Sequence, residues 1–140
     1  MVAMRDEGLI GGVGLSNVTL EEYQAARLVT EVACVQNAYN LADRLDQSLL
    51  DACAAEDVPY VPFFPLGSGF NPQNPVLTAR PVLEAAVRLG VTAAQIALAW
   101  LLATSPNVLL IPGTSSLPHL RENLAAAELD LDARTVAEIG

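Results

Sequence analysis

Four short runs of apolar residues stand out along the chain, and apolar residues recur at helical spacing between them. The runs are of strand length and rich in Val, Ile, Leu or aromatic residues, and they cover Ile10 to Leu15, Val32 to Gln36, Val58 to Phe64 and Val108 to Pro112. None of them alternates cleanly between apolar and polar residues. Continuous apolar runs of this length are typical of strands buried on both faces of a parallel sheet.

Helix signals follow each apolar run. Two capping boxes, Thr19 with Glu22 and Thr92 with Gln95, predict helix starts. Together with apolar positions at helical spacing, they predict helices over about 19–29, 46–56, 82–89, 92–103, 117–127 and 132–139. Strand and helix therefore alternate four times, which predicts an α/β architecture with a parallel sheet, in a single domain of residues 1–140.

Composition and charge narrow the classes of function. With 52% hydrophobic and 16% charged residues, the chain is not expected to be disordered. The net charge is −9 and all seven basic residues are arginines, so nothing basic is clustered to meet nucleic-acid phosphates. No apolar run reaches the roughly 18 residues of a membrane span, and the charged N-terminus does not match a signal peptide. We therefore expect a soluble cytoplasmic protein with no nucleic-acid or membrane partner.

The residues at the ends of the four apolar runs, and directly after them, carry the candidate chemistry, since sites in α/β folds gather at the carboxyl ends of strands. They are Ser16, Asn17, Gln36, Asn37, Phe63, Phe64, Pro65, Leu66, Gly67, Ser68, Gly113, Thr114, Ser115 and Ser116. This set holds amides, hydroxyls, aromatic rings and glycines, but no histidine, carboxylate or thiol. Such groups bind and orient a ligand more readily than they move protons. The long linker from Gly67 to Thr78 is expected to be functional or mobile.

The helix start after the last apolar run has two possible roles, whereas the two cysteines have one expected role. The stretch from Pro112 to Pro118 fits either a phosphate site at a helix start or an ordinary helix cap formed by Ser115 or Ser116. The lone histidine, His119, falls one turn into that helix. Cys34 and Cys53 lie in apolar segments without the spacing of metal ligands. We expect both to be buried, reduced thiols, and we predict no metal site.

Taken together, the strand-end motifs resemble the C-terminal half of an aldo-keto reductase. The matching segments, in the family's order, are 10–17, 35–40, 61–67, 94–102 and 111–123. The Phe-Phe-Pro-Leu-Gly form at 63–67 is similar to a bacterial branch that includes pyridoxal-reductase-like enzymes. The resemblance implies about four βα units with parallel strands, corresponding to strands five to eight of a (β/α)8 TIM barrel, and NADP(H) bound without a Rossmann domain.

The resemblance also implies a cofactor role for each group of candidate residues. The first group holds the nicotinamide carboxamide, which needs both donors and acceptors, and comprises Ser16, Asn17 and Gln36. Phe63 corresponds to the aromatic residue that stacks on the nicotinamide, and Phe64 and Pro65 adjoin it. The other groups meet the pyrophosphate (Leu66, Gly67 and Ser68), the 2′-phosphate (Gly113, Thr114, Ser115 and His119) and the adenine (Glu122 and Asn123).

Two departures from the family pattern qualify these roles. A lysine common in the last loop corresponds to Gly113, and an arginine corresponds to His119, so two fixed positive charges are absent and the expected preference for NADP(H) over NAD(H) is weakened. The family's catalytic Asp, Tyr, Lys and His lie on the first four strands, and this sequence has no lysine. We therefore expect the chain to carry no catalytic residue and to be inactive alone.

Four βα units cannot close an eight-stranded barrel, so the first and last strands are predicted to be open edges. We expect the isolated chain to aggregate, to self-associate or to stay partly molten. Three functions remain open. The chain is the cofactor-binding half of a reductase of small aldehydes or ketones, a non-catalytic dinucleotide-binding module, or an assembly element that pairs with itself or with a complementary half barrel.

Overall fold

A computed structural model describes residues 1–68 and 73–140 of the chain. In order along the chain, its elements are α1 (Val2–Asp6), β1 (Leu15–Ser16), α2 (Leu20–Arg27), β2 (Val35–Gln36), α3 (Gln47–Ala55), α4 (Pro75–Thr78), α5 (Arg80–Leu89), α6 (Ala93–Thr104), α7 (Leu117–Ala125) and α8 (Ala133–Ile139). A short 3₁₀ turn, Ala126–Glu128, continues α7.

The strands lie side by side in parallel and in chain order. β1 pairs with β2, with Leu15 opposite Val35. Single parallel bridges then join Val35 to Tyr60 and Tyr60 to Val108. The parallel arrangement that the alternating pattern predicts is therefore present, and the four strand positions end at the same edge of the sheet.

Regular pairing is shorter than the four apolar runs predict. Within the part that the structure describes, it is limited to β1, β2 and the single bridges. The expected burial on both faces is wrong for the last run, since Leu109 is 55% exposed and Ile111 is 49% exposed. The reason is position: the segment 108–112 is last in the strand order, and no further strand among the described residues covers its outer side.

The predicted helices are present within a few residues of their expected ends. Both capping boxes form: the Thr19 hydroxyl accepts from the Glu22 N–H at 3.2 Å while the Glu22 carboxylate accepts from the Thr19 N–H at 2.8 Å. The Thr92 hydroxyl accepts from the Gln95 N–H at the same 3.2 Å. Gly90 ends α5 in the left-handed region, with φ +68°, where a side chain is disfavoured.

Two short helices were not predicted, because each is too short to show a helical period. α1 lies at the N-terminus, and α4 lies within the stretch 67–78 that the sequence predicts as a loop. The Asn74 side chain begins α4 by accepting from the Val76 N–H at 3.1 Å, and Pro75 occupies the first turn. The middle of that predicted loop, residues 69–72, lies outside the described residues.

The core is built around α6, whose residues 96–101 are all buried. This helix packs against α4, α5, α7 and α8. Its Trp100 ring stacks on Tyr39, with ring centroids 6.4 Å apart, and the Arg44 guanidinium lies 4.6 Å above the same indole. Tyr39 is fully buried and packs in the core.

In the described part, no single helix is long and apolar enough to cross a membrane, and α5 and α6 meet at a bend of 100°.

The two cysteines are unpaired and differ in environment. Cys53 is fully buried in the core, whereas Cys34 is half-buried, so the expectation of two buried thiols is met only in part. Burial raises the pKa of the Cys53 thiol to about 11, because desolvation disfavours the thiolate. Cys53 is therefore a packing residue and not a nucleophile.

The capping box of α6 gives a stability prediction. Replacing Thr92 by Ala removes a cap at the start of the central helix and is expected to lower the free energy of unfolding by about 1 kcal/mol. Thr92→Ser keeps the hydroxyl and is the matched control. Urea denaturation followed by circular dichroism measures both, and an equal loss in the two variants would show that the methyl group, and not the cap, matters.

The raised pKa of Cys53 predicts selective alkylation. At pH 8 only about a thousandth of a thiol with a pKa near 11 is ionised, so iodoacetamide should label Cys34 first and Cys53 only after unfolding in urea. Intact-mass measurement with Cys34→Ser as the single-thiol control follows the two sites. Rapid labelling of Cys53 in the folded chain at pH 8 contradicts the buried position.

Candidate functional site

The ends of the first two strands place three predicted site residues together. Ser16 pairs directly with Gln36 in the sheet. The Asn17 N–H donates to the Gln36 carbonyl at 3.0 Å, and Asn17 adopts a left-handed backbone with φ +56°. Asparagine tolerates this region better than most residues. Ser16 and Asn17 are exposed and Gln36 is half-buried, so their polar groups are available at the strand ends.

The aromatic segment lies beside them, at the end of the third strand position. The Phe63 N–H donates to the Asn37 carbonyl at 3.0 Å, and the rings of Phe63 and Phe64 meet edge to face at 5.5 Å. The chain then turns tightly, with the Gly67 N–H donating to the Phe64 carbonyl at 2.8 Å. Gly67 has φ +72°, and a Cβ at this position would lie 2.5 Å from the Asn74 side chain, so glycine is required here.

A groove joins this aromatic segment to the loop after the fourth strand position. It has two adjoining lobes, of about 320 and 280 Å³, which share Leu66 and Gly113. Described residues that line the aromatic lobe are Phe63, Phe64, Pro65, Leu66, Gly67, Ile111, Pro112 and Gly113. Described residues that line the helix lobe are Leu66, Leu77, Ala94, Gly113, Thr114, His119, Glu122 and Asn123. We call the two together the two-lobed groove.

The helix lobe is shaped by the start of α7. Ser116 is the helix cap, since its hydroxyl accepts from the His119 N–H at 3.4 Å, and the Thr114 hydroxyl accepts from the Ser116 N–H at 3.1 Å. The predicted helix cap is thus confirmed with Ser116 as the capping residue, and the phosphate site at the same helix start stays a prediction. The loop before it stays open, because Gly113 is exposed and a Cβ there would meet nothing within 4 Å.

Most of the predicted cofactor residues therefore surround one groove, although the sequence separates them by about fifty positions. Five do not line it in the described part: Ser16, Asn17, Gln36, Ser68 and Ser115. The first three lie at the neighbouring strand ends described above. Sequence reasoning did not single out Leu77 and Ala94, which are unremarkable apolar residues whose place in the groove follows from tertiary packing.

Sequence reasoning gave no role to the buried Asn40, and it treated the buried Asn37 only as a candidate at the strand end. Asn40 donates from its side chain to the Phe64 carbonyl at 3.0 Å and accepts from the Ala42 N–H at 2.9 Å. Asn37 bonds to the turn that follows Ser16 and Asn17. The signal that could have found them is a buried polar residue in an otherwise apolar stretch, because such a residue must satisfy its hydrogen bonds internally.

The chemistry available in the two-lobed groove is recognition by neutral donors and acceptors. Its described lining offers aromatic surface, exposed backbone, the Thr114 hydroxyl, the Asn123 amide, the His119 imidazole and a single carboxylate, Glu122. No arginine lines it among the described residues. An anion there would be met mainly by N–H groups, hydroxyls and the positive end of the α7 dipole.

Comparison with known proteins identifies the family. The model of the aldo/keto reductase family matches residues 1–140. Pyridoxine 4-dehydrogenase of Escherichia coli (strain K12) is 48% identical over 139 residues, which cover 99% of this chain and 47% of that protein. An uncharacterized oxidoreductase of Schizosaccharomyces pombe is 38% identical over 142 residues, covering 99% of this chain and 44% of that protein.

Solved structures give the same result for the fold. A thermostable aldo-keto reductase crystallised with the inhibitor epalrestat superposes with a TM-score of 0.88 at 34% identity, covering 99% of this chain and 51% of that one. An aldo-keto reductase from Klebsiella pneumoniae in complex with NADPH superposes with a TM-score of 0.89 at 29% identity, covering 99% and 50%. The chain spans about half the length of the relatives it matches. The resemblance drawn from the strand-end motifs is confirmed, and the chain belongs to the aldo/keto reductase family.

Proposed function

We propose that the chain forms strands five to eight, the cofactor-binding half, of an NADP(H)-dependent reductase of small aldehydes or ketones. The observation that carries this proposal is the two-lobed groove, which brings the segments 63–67 and 113–123 together. Its contents follow the order of an extended dinucleotide: an aromatic ring, a glycine turn, an open glycine loop and a helix start. The NADPH bound to the Klebsiella pneumoniae relative supports the choice of cofactor.

The aromatic lobe and the strand ends beside it suit the nicotinamide. Stacking requires only the face of a ring, which Phe63 provides at the lining of the groove. The carboxamide requires donors and acceptors, which Ser16, Asn17 and Gln36 supply from the neighbouring strand ends. When bound, the cofactor supplies a hydride to the substrate carbonyl. The role of these residues is to hold and orient the ring that carries it.

The rest of the groove suits the phosphates and the adenine. Gly113 is exposed and a Cβ there would meet nothing within 4 Å, so its backbone admits a close approach by a phosphate, while Gly67 turns the chain at the other lobe. The Thr114 and Ser115 hydroxyls are exposed before α7. Because helix starts and hydroxyls donate hydrogen bonds to phosphate oxygens, the site can hold a phosphorylated ribose without lysine.

The substrate of the intact enzyme is proposed from its relatives. The 48% identity to pyridoxine 4-dehydrogenase supports a small heteroaromatic alcohol or aldehyde of the pyridoxine and pyridoxal type. In this proposal the residues that transfer the proton lie on the first four strands of the barrel. The chain itself contributes cofactor binding and part of the substrate pocket.

His119 gives a test of the 2′-phosphate position. His119→Arg places a permanent cation in the helix lobe and is expected to tighten NADPH binding about fivefold, which corresponds to about 1 kcal/mol for an exposed ion pair. NADH binding should stay unchanged, because NADH lacks the 2′-phosphate. Titration of cofactor fluorescence measures both constants, and His119→Gln is the uncharged control.

Either of two results contradicts this placement. A chain that binds neither dinucleotide contradicts the proposed cofactor role altogether. An arginine variant that gains equally for NADPH and NADH places the new charge away from the 2′-phosphate and leaves only general dinucleotide binding.

A second candidate function, an assembly element, is favoured by the surface at the last strand position. An apolar groove of about 390 Å³ runs between this strand and α7, lined in the described part by Leu102, Leu110, Ile111, Pro112, Leu120, Asn123, Leu124 and Ala127. Leu124 is 67% exposed. Apolar surface of this kind beside an unpaired strand is typical of an interface. In this proposal further βα units cover it, from a complementary half barrel or from a second copy.

This surface predicts that the isolated chain associates. Sedimentation velocity at micromolar concentration is expected to show dimers or larger species, since the apolar edge gains by leaving water. Leu124→Glu should shift the distribution towards monomer, because it places a charge in the apolar groove. Val87→Glu on α5, a site that is 84% exposed and away from this edge, is the matched control. A wild-type monomer with a sharp two-state melt contradicts the assembly role.

A further inference from the structure

Asn37 lies at the junction of the three chain segments assigned to the nicotinamide end of the groove. It follows Gln36 directly at the end of β2, and it is only 3% exposed. Its backbone carbonyl accepts from the Phe63 N–H at 3.0 Å. Its side chain reaches in the other direction, to Val18 in the turn that begins with Ser16 and Asn17.

All the hydrogen-bonding groups of the Asn37 side chain are used. Its Oδ1 accepts from the Val18 N–H at 3.1 Å, while its Nδ2 donates to the Val18 carbonyl at 2.7 Å and to Asp46 Oδ2 at 2.7 Å. The bond to a carboxylate is charge-assisted and fixes which end of the amide faces Asp46. The amide therefore has a single orientation and forms hydrogen bonds with both backbone polar groups of Val18.

These bonds to Val18 stabilise a turn whose backbone conformation most residues disfavour. Asn17, directly before Val18, has φ +56°, a backbone conformation that few residues besides glycine adopt and that asparagine tolerates better than most. Two bonds to Val18 and one from the Asn17 N–H to the Gln36 carbonyl hold that conformation. The direction in which Ser16 and Asn17 present their polar groups therefore depends on Asn37.

We propose that Asn37 is a positioning residue that aligns the carboxamide-binding residues with the Phe63 ring, and that Asp46 orients its amide. The inference rests on the cofactor role proposed above and extends it to residues that do not touch the cofactor. Only an amide fits this position: aspartate has no hydrogens to donate to Val18 and would set a second carboxylate against Asp46. Alanine would leave both Val18 groups without these partners.

The test compares two ligands that share one end. In the proposed placement NADPH spans both lobes, whereas adenosine 2′,5′-bisphosphate has no nicotinamide and reports only on the helix lobe. Asn37→Ala is expected to weaken NADPH binding about tenfold, the scale of losing a charge-assisted network, while binding of the bisphosphate stays within about twofold. Isothermal titration measures both ligands on the full chain.

Three further variants complete the design. Asp46→Asn keeps an oxygen to accept from Asn37 and should bind NADPH like the wild type, whereas Asp46→Ala should fall between wild type and Asn37→Ala. Asn107→Ala is the matched control, because its amide also ties two segments, donating to the Val58 carbonyl at 2.7 Å, but at the opposite, amino end of the strands. It should leave both affinities within about twofold even where it lowers thermal stability.

The outcomes distinguish a failure of the positioning role of Asn37 from a failure of the proposed cofactor binding. Equal weakening of both ligands by Asn37→Ala, or a selective loss in Asn107→Ala as well, shows a purely structural effect and overturns the positioning role. NADPH affinity unchanged in both Asn37→Ala and Asp46→Ala overturns it too, and Asp46→Ala tests it even where the Asn37 variant fails to fold. A wild-type chain that binds neither ligand instead overturns the cofactor role on which the inference stands.

Discussion

The parallel bridges that run from Leu15 through Val35 and Tyr60 to Val108 set the geometry on which the candidate site depends. Parallel strands place their carboxyl ends at one edge, so residues from distant parts of the chain meet there. A shift of one position in this register would turn each side chain to the other face of the sheet. The register of the strands therefore determines where the segments that line the groove lie.

Alignment alone does not fix the loops, and buried amides supply the remaining constraint. Asn37 and Asn40 each tie one strand end to its neighbour through side-chain bonds to backbone groups. Asn107 makes the same kind of tie at the other end of the strands. Because a buried amide without partners is costly, these bonds hold the loops in one arrangement rather than several. Binding groups on such loops need less ordering when a ligand arrives.

The parts of the fold that sequence predicts are those with local causes. The capping boxes at Thr19 and Thr92 and the stop at Gly90 depend on residues within one helical turn, so their signals are complete in the sequence. The exposure of Ile111 and the burial of Asn37 depend on what lies across the sheet, which no window of sequence contains. The strand-end residues of the site followed from the place where parallel strands end, whereas their cofactor roles, and the addition of Glu122 and Asn123, came from a set of motifs that resembles one family.

The same strand order that builds the site leaves an open edge and exposed apolar residues at the last strand. Among the described residues Val108 is bridged to Tyr60 on one side and to no strand on the other, and Leu124, on the helix that follows, is exposed. Covering that edge would stabilise the strand that leads into the Gly113 loop, so burial of the edge and order in the helix lobe are coupled. A partner on the far side of the sheet would therefore act on the helix lobe through this strand, without touching the residues that line the lobe.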